Sequence, residues 1–235
     1  GVSNLELTGA YAAIANQGIY TEPIYYTRIV DRNGKIIIDN QPETHTVIKE
    51  STAWLLTNAM EGVCQYSLLY GHSDIPTSRT ETKLEGIPTA AKSGTTTNTN
   101  DIWFVGYTPY YTLGIWQGYD ENAELTTGPD VRIMWHNIMS RACEGLPAKE
   151  FPEKPSNIEE VSICHKSGKL AVPGVCDADP GGNMVYAEYF ARGTAPTEVC
   201  DHHTRVTVCR LSGVLATEFC PEPLRENRIY RTLTD

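Results

Sequence analysis

No run of apolar residues in this sequence approaches the ~18 that a membrane-spanning helix requires, so a helical span is excluded. Cations are also scarce: Lys+Arg is 19 against Asp+Glu 29, a net charge of -10. An acidic surface repels phosphate backbones, which disfavours a general nucleic-acid-binding role. No two cysteines have C-x-x-C spacing, so zinc ribbons and thioredoxin-type redox motifs are set aside. Gly1 carries neither an initiator methionine nor a basic-then-apolar leader. The opening GVSNLELTGAYAAIANQG reads as the middle of a folded domain, and the chain is expected to lack its own N-terminal half.

What is present suffices for a core. Hydrophobic residues make up 40% and charged residues 20% of the 235, a globular balance. The length fits one large domain, or one with a small appendage. Ser3 and Glu6 fit an S-x-x-E capping box. Leu7, Ala10, Tyr11, Ile14 and Ala15 then share one helical face, with Gly18 as a stop. Ile24–Val30 and Lys35–Ile38 flank Asp31-Arg32-Asn33-Gly34, a hairpin signal. A second helix is expected over 52–63, with Leu55, Leu56, Ala59, Met60 and Val63 inward, and residues 65–88 read as a surface loop. Three strands follow: Thr89–Thr96, Ile102–Tyr107 and Tyr111–Gly118, the last two joined by a tight turn at Thr108-Pro109. A third helix after Gly128-Pro129 turns Val131, Met134, Trp135, Ile138, Met139 and Ala142 inward. Tyr25-Tyr26 and Tyr110-Tyr111 are expected to pack on the sheet.

After Gly145 the prolines at 147, 152 and 155 read as a linker. An internal repeat follows. Val161-Ser-Ile-Cys-His-Lys-Ser-Gly-Lys-Leu-Ala171 matches Val206-Thr-Val-Cys-Arg-Leu-Ser-Gly-Val-Leu-Ala216, and each copy ends in a further cysteine, Cys176 and Cys220. The simplest reading is a duplicated hairpin-like unit, each copy closed by its own disulfide: Cys164–Cys176 and Cys209–Cys220. Each such loop would contribute ~3 kcal/mol. Clustered cysteines of this kind place the chain outside the cytosol. Cys64 and Cys143 sit in apolar helical patterns and read as core residues. Cys200-Asp-His202-His203, with Cys209 near, offers soft and imidazole ligands that could hold zinc. The preferred reading is plainer, a disulfide cysteine beside two surface histidines, because the repeat assigns Cys209 to Cys220. No metal or cofactor is expected. His45, His72, His136 and His165 are isolated, and no acid/base pair of carboxylates stands out.

The stretch richest in chemistry is Thr89-Ala-Ala-Lys92-Ser93-Gly94-Thr95-Thr96-Thr97. Lys92 gives a positive field for a carboxylate, and Ser93 and Thr95 give hydroxyl donors to the same anion. On a sheet edge, Gly94 admits another backbone, and a peptide could add as an extra strand. The plainer reading is a strand end with turn residues.

Followed by Asp101-Ile-Trp-Phe-Val-Gly-Tyr-Thr-Pro and Gly114-Ile-Trp-Gln-Gly-Tyr-Asp120, this stretch resembles the C-terminal part of the transpeptidase domain of class A penicillin-binding proteins. The opening Gly-Val-Ser-Asn-Leu-Glu-Leu-Thr-Gly-Ala-Tyr-Ala, Asn16-Gln-Gly18 and Glu144-Gly-Leu-Pro resemble the same family in the same order. The likeness covers residues 1 to about 150, and the cysteine-bearing tail resembles extensions of clostridial-type members. The family uses S-x-x-K, S-x-N and K-T/S-G motifs. No serine here has Lys three positions on or Asn two positions on, so only the third motif is present.

The resemblance implies that a serine from an upstream segment attacks a D-Ala–D-Ala carbonyl, and that a stem-peptide amine resolves the acyl-enzyme. Lys92 and Ser93 would hold the terminal carboxylate of substrate or β-lactam, Gly94–Thr96 would align its backbone and complete the oxyanion hole, and Thr97–Asn100 would rim the cleft. The expected fold is α+β: an antiparallel sheet packed by helices over 1–150, N-terminally truncated, then a linker and small β-rich cysteine module over 151–235. Expected partners are the missing half of the domain, peptidoglycan stem peptides and β-lactams, with the membrane reached only through an upstream anchor. Two other readings remain open: a secreted, non-catalytic module binding cell wall or protein, and a pseudoenzyme remnant.

Overall fold

The structure, a computed structural model, describes residues 1–64, 82–126, 128 and 130–232. It divides into two compact units that change over between Pro155 and Ser156. The first unit begins with α1 (Asn4–Ala15), followed by the short strands β1 (Ile19–Thr21), β2 (Arg28–Val30), β3 (Ile36–Asp39) and β4 (Thr44–Thr46). Then come α2 (Glu50–Cys64), β5 (Ala90–Thr95), β6 (Asp101–Tyr107), β7 (Thr112–Gly118) and α3 (Val131–Ala142). The second unit holds β8 (Ile158–Cys164), β9 (Val185–Ala191), β10 (His203–Cys209) and β11 (Arg225–Arg231). Most of the expected loop, residues 65–81, lies outside the described residues.

The capping box at Ser3 and Glu6 forms in full: each side chain accepts from the other's backbone N–H, which satisfies two orphan donors at the start of α1. The helix stops as Gln17 and then Gly18 turn left-handed. A Cβ on Gly18 would lie 2.2 Å from the Ile48 carbonyl oxygen, so the chain passes here only without a side chain. The hairpin around Asn33-Gly34 also forms, as β2 and β3 pair antiparallel, with Asp31 Oδ1 accepting from the N–H groups of Asn33 and Lys35.

Strands β5, β6 and β7 make an antiparallel sheet in that order, and among the described residues β5 has a neighbour on one side only. Because partners across antiparallel strands share a face, the register assigns each side chain. Ala91, Phe104, Ile115 and Leu113 meet α3 on one face, around Trp135. Ala90 and Tyr107 lie on the other, packed with Met60 of α2 and Tyr11 and Ile14 of α1. Gly106 is a packing requirement: a Cβ there would stand 2.6 Å from that of Ala91 and 3.0 Å from the Trp135 ring. Trp135 is fully buried, meets Phe104 edge-on at 5.7 Å and donates its indole N–H to the Leu113 carbonyl at 3.0 Å.

The helical faces differ from the expected stripes. In α2 the buried residues are Ser51, Ala53, Thr57, Met60 and Cys64, while Leu56 is exposed. The face has rotated because Thr57 is a satisfied polar residue, its hydroxyl bonded to Ala53 O at 2.9 Å and Tyr107 OH at 2.8 Å. In α3, Val131, Trp135, Met139 and the following Cys143 are buried, whereas Met134, Ile138 and Ala142 form a parallel exposed stripe. Tyr25, Tyr26 and Tyr111 are exposed rather than packed; Tyr110 instead donates its hydroxyl to Pro147 O at 2.8 Å, with the Lys149 ammonium over its ring. Cys64 and Cys143 are core residues of the same cluster.

The repeat is visible bond for bond in the second unit. Cys164 N–H donates to Lys169 O and Gly168 N–H to Cys164 O, both at 2.8 Å, and Ala171 N–H donates to Ser162 O. Forty-five positions on, Cys209 donates to Val214, Gly213 to Cys209 and Ala216 to Thr207. Gly168 and Gly213 both hold the positive φ that the turn demands. The two antiparallel pairs are β8 with β9 and β10 with β11.

Candidate functional site

The K-S-G strand is β5, an edge strand among the described residues. Alternation along it separates the expected site residues. Ser93 and Thr95 point to the α3 side and open on a groove of about 590 Å³, whose other walls include Ile102, Gln117, Asp130, Val131 and Arg132. Lys92 and Gly94 lie on the opposite face, opposite Val105 and Trp103 respectively. Lys92 is exposed, and its ammonium donates to the Ser93 carbonyl at 2.9 Å. An ideal Cβ on Gly94 would meet that of Trp103 at 3.5 Å, an ordinary contact, so the space beyond Gly94 is what a larger side chain would fill.

Thr96 closes the strand. Its N–H donates to Asp101 O at 3.0 Å, and its hydroxyl donates to the Asp101 carboxylate and accepts from the Asp101 N–H, both at 2.9 Å. Asp101 in turn accepts from the Trp116 indole at 2.9 Å. Thr97–Thr99 form one 3-10 turn in which Asn98 and Thr99 have φ of 59° and 54°. A β-branched residue in this region is strained, and the Leu125 N–H bond to Thr99 O at 3.1 Å helps hold it.

Asp130 and Arg132 were absent from the sequence reading. Asp130 caps α3 by accepting the Arg132 N–H at 2.9 Å, and its carboxylate takes the Arg132 guanidinium in a two-point pair. That pair holds the Asp130 carboxyl below its ordinary range. The signal that could have found it is the D-x-R at a helix start beside a Gly-Pro.

The cysteines correct the disulfide expectation. All seven are free thiols. Cys164 and Cys176 do approach, but as members of a larger group: their sulfurs, the Cys200 sulfur and a ring nitrogen of His203 lie within 4.8 Å of one another, all four residues buried. A pairing confined to one copy of the repeat leaves out Cys200, just before β10, and His203, its first residue. His203 is therefore no surface residue, while His202 is partly exposed and bonded to Asp201 at 3.1 Å. Burial opposes ionisation of Cys200, but its hydrogen-bonding neighbours Ser167, His203, the His202 backbone and Cys164 outweigh it and bring the thiol to about 6; burial pushes Cys176 up to about 12. Cys209 and Cys220 are neighbours as the repeat implied: Ser212 and then Cys220 bring the Cys209 thiol down to about 7, and Cys209 pushes Cys220 up. His45 lies against Tyr20, His136 bonds Ser140 and His165 lies against Tyr186; His72 is outside the described residues. Among the described residues no helix is long and apolar enough to cross a membrane.

Residues 1–115 match the family model described as the penicillin binding protein transpeptidase domain, and residues 154–205 match that of the penicillin-binding protein 1A C-terminal domain. Penicillin-binding protein 1A of Clostridium botulinum (strain Langeland) is 30% identical over 232 residues, covering 98% of this chain and 27% of that protein. That of Clostridium perfringens is 33% identical over 211 residues, covering 88% and 24%. The chain thus spans about a quarter of the length of these curated relatives. The crystal structure of penicillin-binding protein 1A from Haemophilus influenzae superposes with a TM-score of 0.69 at 22% identity, over 85% of this chain and 33% of that one, a likeness of fold.

Proposed function

The chain belongs to the penicillin-binding protein family, and from that premise we propose that it supplies the substrate-binding edge of a serine D,D-transpeptidase that cross-links peptidoglycan. The observation that carries this is β5: an edge strand with Lys92-Ser93-Gly94-Thr95 on it and a groove beside its hydroxyls. A stem peptide ending in D-Ala–D-Ala would lie along the open edge of β5 as an added strand. Ser93 and Thr95 would donate to its carboxylate from the groove side, in the field of Lys92. A serine outside this sequence would attack the penultimate carbonyl, D-Ala would leave, and an amine from a neighbouring stem would take the acyl group. A backbone N–H near Gly94–Thr96 would face the developing oxyanion, and the fixed turn at Thr97–Thr99 would rim the cleft. β-Lactams, which carry a carboxylate beside the reacting amide, would occupy the same edge. The work would be done on the outer face of the bacterial membrane, where the cross-links lie, with anchorage from outside this sequence.

The test is acylation by a chromogenic β-lactam, followed by stopped flow in a longer protein that also contains the S-x-x-K serine. Lys92→Ala is expected to slow acylation roughly ten- to a hundredfold, the worth of one charge-assisted hydrogen bond, with little change in melting temperature. Ser93→Thr keeps the hydroxyl and should be nearly silent. Gly94→Val should be worse than Lys92→Ala, since it fills the path of the added strand. The 235-residue chain alone should take no covalent label. Unchanged rates in both Lys92→Ala and Gly94→Val would overturn the assignment and favour a non-catalytic binding module.

A further inference from the structure

The geometry points to a zinc site in the second unit, with Cys164, Cys176 and Cys200 as thiolate ligands, His203 as the fourth ligand through Nδ1, and Asp179 as the carboxylate behind the imidazole.

Four features of the site converge. The first is spacing. Zinc binds thiolate at ~2.3 Å and imidazole at ~2.0 Å in a tetrahedron, which sets the sulfur-to-nitrogen edge at roughly 3.5 Å. His203 Nδ1 stands 3.4 Å from the Cys164 sulfur and 3.3 Å from that of Cys200.

The second is the direction of the imidazole. His203 Nε2 is 2.8 Å from Asp179 Oδ2, and both side chains are wholly buried. A carboxylate only accepts, so Nε2 carries the proton and the Nδ1 lone pair faces the three sulfurs. Metal-bound histidines are held by a carboxylate in this way. Asp179 cannot turn away, because Arg231 donates to both its oxygens at 2.7 and 2.6 Å and the Gly181 N–H donates at 2.6 Å.

The third is local chain geometry. Cys164 ends β8 and opens the tight turn through Gly168, Cys176 accepts the Val172 N–H on its sulfur at 3.3 Å, and Cys200 and His203 stand in C-x-x-H spacing at the start of β10. The fourth is what a disulfide would leave behind. It would consume two of three sulfurs and strand the third, with the imidazole, against Met184, Val172 and Val185. One metal ion satisfies all four. Thiolate with imidazole in a closed tetrahedron favours zinc over the hard cations, and binding releases the thiol protons to solvent. The second copy supplies its two cysteines to no comparable group among the described residues.

The experiment is elemental analysis of the protein purified without chelators, joined to cobalt substitution. One zinc per chain is expected, together with a sulfur-to-cobalt charge-transfer band once Co²⁺ replaces it. Cys200→Ser and His203→Ala should each lower the zinc content at least tenfold, whereas Cys209→Ser should leave it at one. Should a ligand variant fail to fold, alkylation of the unaltered chain keeps the question open to decision. Cys164, Cys176 and Cys200 should become reactive only after a chelator is added, with Cys209 reactive throughout. Zinc below a tenth of an equivalent with alkylation indifferent to chelator, or a mapped Cys164–Cys176 disulfide, would overturn the site.

Discussion

The two units solve the problem of an interior with different materials. Residues 1–155 bury Trp135, Tyr107, Phe104 and Met139 on the two faces of one sheet, while the corresponding heart of residues 156–235 is Cys164, Cys176, Cys200 and Met184, with the buried hydrogen-bonded pair of Asp179 and His203. The difference follows from size. A unit as small as the second encloses too little apolar surface to offset chain entropy by packing alone, and such units rely on cross-links or metals. The first unit can rest on shape, and its polar interior contacts, such as Thr57 with Tyr107, are single bonds between neutral groups.

The sharpest way to break this contrast is Trp135→Ala. It removes the largest fully buried side chain and should cost about 3–5 kcal/mol. Hydrogen exchange resolved by peptide should show the loss in β5–β7 and α3, with protection in β8–β11 unchanged; equal loss in both units would show that they share one cooperative core. Next is Asp179→Ala, which leaves His203 and Arg231 without their common partner. Arg231 is half-exposed and can turn to water, so the loss is that of the buried His203 Nε2–H left without an acceptor, about 1–3 kcal/mol. Here the loss should be confined to β8–β11, and a silent variant would show that the buried charge is dispensable.

The smallest effect concerns Glu61 on α2, whose carboxyl is raised to about 7 by burial and, secondarily, by Glu150. A carboxyl that binds its proton more tightly folded than unfolded makes stability fall as pH rises, here from about 4.5 to about 7. Glu61→Gln should flatten that part of the profile and stabilise the first unit at pH 8. An unchanged slope in chemical denaturation across this range would remove Glu61 as its source.

Local signals were legible in the sequence. The Ser3–Glu6 cap, the Asn33-Gly34 turn, the three successive strands and the 45-residue repeat each depend on neighbours in the chain, and each is present. The helix faces were legible in part: Val131, Trp135, Met139 and Met60 are buried as their spacing implies, but apolarity alone does not decide inwardness. Thr57 is buried through a hydroxyl bond that no periodicity reveals, and Ile138 is exposed although it is apolar. On β5 the residues were found, but not that alternation sends Lys92 and Ser93 to opposite faces, or that Arg132 stands across the groove. The cysteines failed for a related reason. The repeat pairs residues within a copy, whereas Cys200 and His203 arrive from between the copies; the Cys200-Asp-His202-His203 run shows its ligand types in the sequence, but not that the fold sets them beside Cys164 and Cys176.

Asp179 meets Arg231 across 52 positions of sequence, in the last strand of the chain. A ribosome delivers the two at different times. When His203 has emerged, all four metal-ligating side chains are already outside, but the carboxylate behind His203 still lacks its guanidinium. The second unit therefore has a natural order of assembly: the knot of sulfur and imidazole can be tied first, on a short loop whose closure entropy is modest, and β11 then arrives to fasten it.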